Sequence, residues 1–187
     1  MTDTDAPADF PVSIRSLVGE KLRLSPSAAR GSVGYELTSS RGQRVASLSL
    51  YNASALARMA CAEGAWRVDK RRRYGWELII EAPDGRLVGW YSGRRWLPGG
   101  TIFLADGSQV DLRRSANGHW KLQTSGTREA FVVMRASRPG TSGVEIALEI
   151  RSGPAGVLEL PLTVLIASTV VILDCTLPGP PSGSGGR

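Results

Sequence analysis

The chain has 187 residues, of which 42% are hydrophobic and 21% charged; this size and composition exclude a largely disordered protein and allow one domain with a substantial core. Its formal net charge of +6 predicts attraction to polyanions, namely anionic lipid, nucleic acid or an acidic protein partner. The first residues, MTDTDAPADFP, lack the cationic and apolar segments of a secretory signal, so we expect a cytoplasmic protein in which Cys61 and Cys175 stay reduced.

Residues 1–32 are predicted to be a polar arm followed by a docking segment. Between residues 10 and 24 two patterns overlap, because Ile14 and Leu17 fit one face of a helix whereas residues 21–24 alternate like a strand. Both alternatives remain open for this segment. Residues 25–31, SPSAARG, are rich in turn-forming residues and predict a loop.

From residue 33 the sequence consists of short alternating runs that are separated by glycine-containing turns. Roughly every 40 residues such a run begins with an aromatic residue, which indicates a repeated supersecondary unit. The three aromatic residues are Tyr35, Trp76 and Trp120.

The middle unit shows the pattern most clearly. Asp84-Gly85 and Asp106-Gly107 each lie between alternating runs, and this arrangement is the strongest local signal for a β-hairpin. Each unit therefore predicts two hairpins, and the three units together predict eleven or twelve strands, with the last at residues 157–160. An antiparallel meander of this size must close or split to avoid open edges.

The segment 161–173 carries no charge and has no polar stripe at the helical period. Pro161 suits the first turn of a helix, and a helix that is apolar on every side must be buried on every side. Its length of roughly 20 Å falls short of a bilayer core of about 30 Å, so a buried helix is favoured over a tail anchor, and the run is too long for one strand.

Together these segments predict an all-β fold with one central helix. A closed antiparallel barrel of about twelve strands leaves a lumen, and the helix is of the right width to fill it. The barrel domain is predicted at residues 33–177. Residues 178–187, PGPPSGSGGR, are predicted to be a disordered tail.

The hairpins between residues 34 and 149 and the ending LTVLIASTVVILD at residues 162–174 resemble the Tubby C-terminal-like superfamily, which includes phospholipid scramblases and LURP-one-related proteins. The resemblance covers most of residues 33–174. It implies a twelve-stranded barrel closed on a hydrophobic helix, and functions in phosphoinositide binding, lipid movement or membrane-associated signalling. No lipid-binding lysine or arginine of the Tubby proteins, and no calcium ligand of the scramblases, aligns with a particular position here.

Residues that could perform catalysis are few. His119 is the only histidine and is predicted to be an exposed strand residue, and no zinc-ligand spacing, phosphate-binding loop or nucleophile elbow occurs. Glu77, Glu81 and Asp111 alternate with apolar residues, a pattern typical of the solvated face of a sheet. We therefore expect a protein that is not an enzyme and has no metal and no cofactor.

Successive connections of an up-and-down barrel alternate between its two ends, which allows the turns to be sorted. One end, here called the Asp-Gly end, is predicted to hold the turns at residues 39–42, 63–64, 82–85, 106–107 and 125–127. The other, here called the basic end, is predicted to hold the connections at residues 52–55, 71–75, 92–100, 114–118 and 136–143.

Charged residues are predicted to divide unequally between these ends. The Asp-Gly end has Glu63, Asp84 and Asp106 against Arg41 and Arg128. The basic end has the predicted anion-binding residues Lys70, Arg71, Arg72, Arg73, Arg94, Arg95, Arg113 and Arg114, together with Arg138. Trp96 and Leu97 at the same end are candidate contacts with a membrane interface.

This distribution predicts a non-enzymatic module that binds anionic lipid of the phosphoinositide headgroup type, because arginine forks match phosphate oxygens. We expect a cytoplasmic monomer that lies peripherally at the inner membrane face. The alternative hypothesis is a bacterial scaffold or regulatory protein without a lipid role. Such a protein would use the same end to bind a protein partner or, less favourably, nucleic acid.

Overall fold

The structure, a computed structural model, describes residues 10–27, 33–51, 56–70, 77–93, 98–127, 129–138, 143–151 and 160–176. Within them the chain forms a short 3₁₀ helix (Ile14–Leu17), twelve strands and one α-helix, α1 (Leu160–Thr176). The strands are β1 (Lys21–Ser27), β2 (Val33–Ser39), β3 (Arg44–Tyr51), β4 (Leu56–Cys61), β5 (Gly64–Lys70), β6 (Glu77–Glu81), β7 (Leu87–Gly93), β8 (Gly99–Leu104), β9 (Gln109–Arg114), β10 (Trp120–Thr124), β11 (Ala130–Ser137) and β12 (Glu145–Ile150).

The twelve strands form one closed barrel, in which each strand pairs antiparallel with its neighbours in sequence and β1 pairs with β12 to complete the ring. The register between β1 and β12 places apolar side chains of both strands in the core: Leu22 of β1 lies opposite Leu148 of β12, and both side chains are buried. The predicted fold class, a closed barrel of about twelve strands around a buried hydrophobic C-terminal helix, is confirmed.

The barrel begins at Lys21, so the predicted start of the barrel domain at residue 33 is wrong. The segment 10–24 contains both of its alternatives in succession, first the 3₁₀ helix and then β1. β1 also extends to Ser27, into the predicted loop, because residues 25–27 pair with β2. β1 therefore brings the number of strands in the ring to twelve.

The strand predicted at residues 157–160 is contradicted at its last residue. Leu160 starts α1, and residues 157–159 lie outside the described residues. The predicted polar arm at residues 1–9 and the predicted tail at residues 178–187 also lie outside them.

The helix α1 runs through the barrel, and every residue from Leu160 to Ile172 is buried. Two of its buried hydroxyls are satisfied within the helix: the Ser168 hydroxyl donates to the Val164 carbonyl at 2.8 Å, and the Thr169 hydroxyl donates to the Leu165 carbonyl at 2.8 Å. Both residues are buried on all sides, and because of these hydrogen bonds neither hydroxyl lacks a partner. Among the described residues, no helix has the length and apolar character needed to cross a membrane.

The two predicted Asp-Gly hairpins are present. Gly85 and Gly107 adopt φ values of 80° and 85°, which glycine reaches without steric cost. The preceding aspartates stabilise the turns, since Asp84 Oδ1 accepts the Arg86 N–H at 3.0 Å and Asp106 Oδ1 accepts the Ser108 N–H at 2.8 Å.

The segment before β1 covers the Asp-Gly end. Ile14 and Leu17 of the 3₁₀ helix are buried against the core, and the Gly19 N–H donates to the Ile150 carbonyl at 2.7 Å. Ser13 caps the 3₁₀ helix, and its hydroxyl donates to Glu63 Oε1 in the turn between β4 and β5. The chain is therefore fastened across this end by both apolar and polar contacts.

Glu63 is the carboxylate beneath this covering segment. Burial raises its pKa, but hydrogen bonds from Ser13, from Cys61 and from the Arg15 N–H outweigh burial and leave the pKa below its usual value. The same arrangement, with burial as the main cause, raises the pKa of the Cys61 thiol to about 12, so this cysteine stays protonated at neutral pH.

We expect Glu63→Gln to destabilise the protein at neutral pH. A carboxyl group with a lowered folded-state pKa contributes stability above its ordinary pKa of 4.5, and this stability disappears as the pH falls through the folded-state value. Thermal unfolding should show a lower Tm for the variant at pH about 7 and a smaller difference at pH about 3. A difference that grows toward acid pH would contradict this assignment.

The mutual burial of helix and barrel predicts that Ile166→Ala lowers the free energy of unfolding by about 2–5 kcal/mol, since a cavity in a closed core is not filled by relaxation. Leu87→Ala is the control, because Leu87 is 49% exposed on the outer wall and its loss should change the free energy by less than about 1 kcal/mol. Urea unfolding measures both. Equal effects would be inconsistent with a helix enclosed by strands.

Candidate anion-binding site at the basic end of the barrel

The strand order confirms that consecutive connections alternate between the two ends, because all twelve strands pair antiparallel in sequence order. Lys70 ends β5, Arg113 and Arg114 end β9, and Arg138 follows β11, so the structure brings these four predicted residues to one end. Three further connections carry predicted residues outside the described ones: Arg71, Arg72, Arg73, Arg94, Arg95, Arg128, Trp96 and Leu97.

Three of the four described cations occupy inward-facing positions at the ends of their strands. Val68 and Leu112 are buried and Ala136 is packed against the core, and the cation follows each of them by two residues. Since side chains alternate between the faces of a strand, the three cations lie at the mouth of the barrel. They are Lys70, Arg114 and Arg138.

Arg113 lies on the outer wall instead and is paired with Asp111, with 2.7 Å between Nη2 and Oδ2. Asp111 was predicted to be solvated, but it is only 6% exposed. Thr101, directly opposite on β8, donates to Asp111 Oδ1 at 2.9 Å, and Arg113 covers the other oxygen. The prediction that Asp111 faces water is therefore wrong, and much of the Arg113 charge is compensated.

Arg114 is held by an aromatic ring rather than by a carboxylate. Its guanidinium carbon lies 5.8 Å from the centroid of the Trp120 ring, directly across from it on β10. Trp120 itself is almost fully buried, which fixes the ring. A cation–π contact of this kind orients an arginine and leaves its positive charge in place.

The C-terminal end of α1 reaches the same mouth. Partial burial raises the pKa of Asp174, while Arg114 acts in the opposite direction. Burial and the Asp174 charge also raise the pKa of the Cys175 thiol against the pull of Arg138 and Arg114. These interactions place the two arginines around the end of the helix, where unpaired carbonyls carry the negative end of its dipole.

The separation of charge between the ends is less complete than the turn positions predict. Asp174 and Glu145 lie at the basic end, and Arg86 accompanies Asp84 at the Asp-Gly end with 3.9 Å between Nε and Oδ2. An excess of positive charge alone therefore does not distinguish the basic end. The difference lies in the partners of the arginines, since Arg114 contacts an aromatic ring whereas Arg86 is paired with a carboxylate.

Arg135 and its contact with His119 are not predicted by the sequence pattern. The Arg135 Nε–H donates to His119 Nε2 at 2.9 Å, and the histidine immediately precedes β10. His119 was predicted to be a plain exposed residue, whereas it is half-buried against Arg135. Alternation alone places both residues on the outer face, but only the register between β10 and β11 brings them together.

The described residues contain no group of three or more histidine, cysteine, aspartate or glutamate side chains that could hold a metal ion. The chemistry available at the basic end is electrostatic: guanidinium and ammonium groups that can bind oxyanions. The arrangement thus suits ligand binding through phosphate or carboxylate oxygens.

The raised pKa of Asp174 means that ionising this carboxyl group opposes folding. The stability present below its ordinary pKa of 3.8 is lost as the pH rises through the folded-state value. We expect Asp174→Asn to have a higher Tm than the unmodified chain at pH about 7 and a similar Tm at pH about 3.

Asp106→Asn provides a control of opposite sign, because hydrogen bonds from Ser108 lower the pKa of Asp106. This substitution should decrease the Tm at neutral pH. A decrease for Asp174→Asn as well would show that the carboxylate is stabilised by the arginines and would overturn the assignment.

Comparison with models of protein families, with curated proteins and with solved structures finds no match for this chain in any of the three.

Proposed function

We propose that the protein is a non-enzymatic binding module that holds anionic lipid headgroups, of the phosphoinositide type, at the basic end of the barrel. One observation carries this proposal. Lys70, Arg114 and Arg138 lie at the mouth, and within the described part of the chain none of them forms an ion pair within 4 Å. Cations without a carboxylate partner keep their charge available for a ligand.

The chemistry of the mouth supports a phosphate-bearing ligand. Guanidinium groups bind phosphate oxygens through two parallel hydrogen bonds, and Arg114 is already oriented by Trp120. Each basic residue near an anionic membrane surface contributes about 1 kcal/mol of binding free energy. Three such residues around one opening therefore contribute about 3 kcal/mol toward reversible attachment to a membrane.

The proposal includes the family and the location that the sequence predicts. A barrel filled by a hydrophobic helix is compatible with the Tubby C-terminal-like superfamily, and we propose membership of it on the resemblance of the hairpins and of the C-terminal helix. The protein is then a monomer that lies at the cytoplasmic face of a membrane, with the basic end toward the lipid.

We expect the protein to sediment with phosphatidylcholine vesicles that contain a phosphoinositide and not with phosphatidylcholine vesicles alone. The Arg114→Ser/Arg138→Ser variant should bind about 30-fold more weakly, since two contributions of about 1 kcal/mol are removed. Arg41→Ser/Arg86→Ser removes the same charge from the Asp-Gly end and is the matched control, with binding expected to be nearly unchanged.

Circular dichroism of each variant separates lost binding from lost folding. Equal sedimentation with neutral and anionic vesicles would overturn the lipid proposal, and so would equal loss in the two double variants. Binding of DNA or RNA with a steep salt dependence, in the absence of vesicle binding, would assign the basic end to nucleic acid instead.

A further inference from the structure

The ion pairs among the described residues show which arginines are neutralised. Six arginines each lie within 4 Å of a carboxylate oxygen: Arg23 with Glu145, Arg44 with Glu36, Arg67 with Asp69, Arg86 with Asp84, Arg113 with Asp111 and Arg151 with Glu149. Arg135 differs from all of them, because its partner is the imidazole of His119.

The hydrogen bond between these two side chains defines the state of the ring. His119 Nε2 accepts the Arg135 Nε–H, so this nitrogen carries no proton and the imidazole is neutral. A guanidinium has five N–H donors, and this contact uses one of them. Arg135 is therefore oriented by His119 while it keeps its charge and its terminal fork of donors.

Lys121 brings a second cation to the same surface. It lies two residues beyond His119 on the outer face of β10, opposite Val133 on β11, and Arg135 lies two residues beyond Val133. Lys121 and Arg135 are thus diagonal neighbours on one face of an antiparallel pair, within reach of a common ligand for long side chains.

The carboxylates nearest to Lys121 and Arg135 are already engaged. Asp111, diagonal to Lys121 across β9, is bonded by Arg113 at 2.7 Å. Glu149, opposite Val133, is bonded by Arg151 at 3.3 Å, and Glu145, on the same strand, is bonded by Arg23 at 2.7 Å. Within the residues that the structure describes, neither Lys121 nor Arg135 forms an ion pair within 4 Å. Two full positive charges therefore remain uncompensated side by side, which is unfavourable unless an anion binds.

The residue beside Arg135 on the neighbouring strand leaves room for a ligand. Ala147 of β12 lies directly opposite Arg135, and it is small and exposed. No bulky side chain at that position shields the guanidinium from solvent. A ligand can thus approach the arginine fork from outside the barrel.

We propose that Arg135 and Lys121, with His119 as the positioning residue, form a binding site for a phosphate monoester or inorganic phosphate on the outer wall of the barrel. Two positive charges match the charge of a phosphate group at neutral pH, which is between about −1.5 and −2 for a monoester, better than that of a carboxylate. The arginine fork binds two phosphate oxygens and the ammonium group of Lys121 binds a third. This site is separate from the mouth and does not depend on the proposed lipid function.

The test is titration of the full chain with inorganic phosphate by calorimetry at fixed ionic strength, with acetate as the comparison anion. Phosphate should bind more tightly than acetate. Lys121→Gln/Arg135→Gln should weaken phosphate binding at least about tenfold, because the variant removes the charge-assisted hydrogen bonds that hold the anion. Arg41→Gln/Arg86→Gln, with the same change in net charge at the Asp-Gly end, should leave it within about twofold.

His119→Ala tests the positioning role separately. Phosphate binding should weaken several-fold while the Tm stays close to that of the unmodified chain, and Arg135→Lys should retain part of the binding through its charge alone. A drop in Tm without a change in phosphate affinity would show a purely structural contact and would overturn the role of His119.

A second measurement on the same variants, binding to phosphoinositide vesicles, distinguishes a soluble phosphate ligand from a lipid headgroup. Loss of soluble phosphate binding together with unchanged binding to phosphoinositide vesicles assigns the site to a soluble ligand, and loss of both assigns it to the headgroup. Failure of vesicle binding alone concerns the mouth and leaves this site standing. Phosphate binding that is absent in the unmodified chain, or equal in both double variants, overturns the proposal.

Discussion

The constraint on which the structure depends is that α1 and the barrel bury each other. A ring of twelve strands leaves a lumen too wide for its own inward side chains to fill, and a helix that is apolar on every side has no face that tolerates water. The helix fills the lumen of the barrel, and the strands shield the apolar surface of the helix from water. The buried hydroxyls of Ser168 and Thr169 fit this arrangement only because each donates to a carbonyl of the preceding turn.

The direction of the helix gives the barrel two different ends. Its N-terminal end lies toward the end that the segment fastened by Ser13 and Glu63 covers, and its C-terminal end lies near Arg114 and Arg138. The unpaired carbonyls and the dipole of the helix favour cations at that opening whether or not a ligand binds there. A structural role and a binding role for the arginines can therefore coexist, and they differ in what a substitution changes: the first affects the free energy of unfolding, the second the affinity for an anion.

The features that could be predicted from sequence are those that short stretches determine. The apolar run at residues 161–173 predicts α1 by itself, and each Asp-Gly pair predicts its own hairpin because glycine supplies the positive φ. The alternation of ends follows from counting connections. For the start of β1 the sequence leaves helix and strand open, because its partner β12 is far away in sequence. Pro26 and its neighbours suggest a loop when the strand that pairs with them is unknown. The burial of Asp111 and the contact between Arg135 and His119 also depend on register, which a single strand does not encode.

Register also explains why the number of basic residues is a poor guide to where an anion can bind. Most described arginines of the outer wall lie against a carboxylate, and their charge is largely compensated. Within the described part of the chain, Arg114 and Arg135 have no carboxylate within 4 Å and are held by uncharged rings, Arg114 by Trp120 and Arg135 by His119. These rings belong to consecutive residues, His119 just before β10 and Trp120 at its start. Because side chains alternate, the two rings face opposite sides of the wall, so one arginine is positioned at the mouth and the other outside it. An arginine that is oriented without being neutralised retains the donors and the charge that a phosphate group requires, and the two rings at the start of β10 orient one such arginine on each face of the barrel.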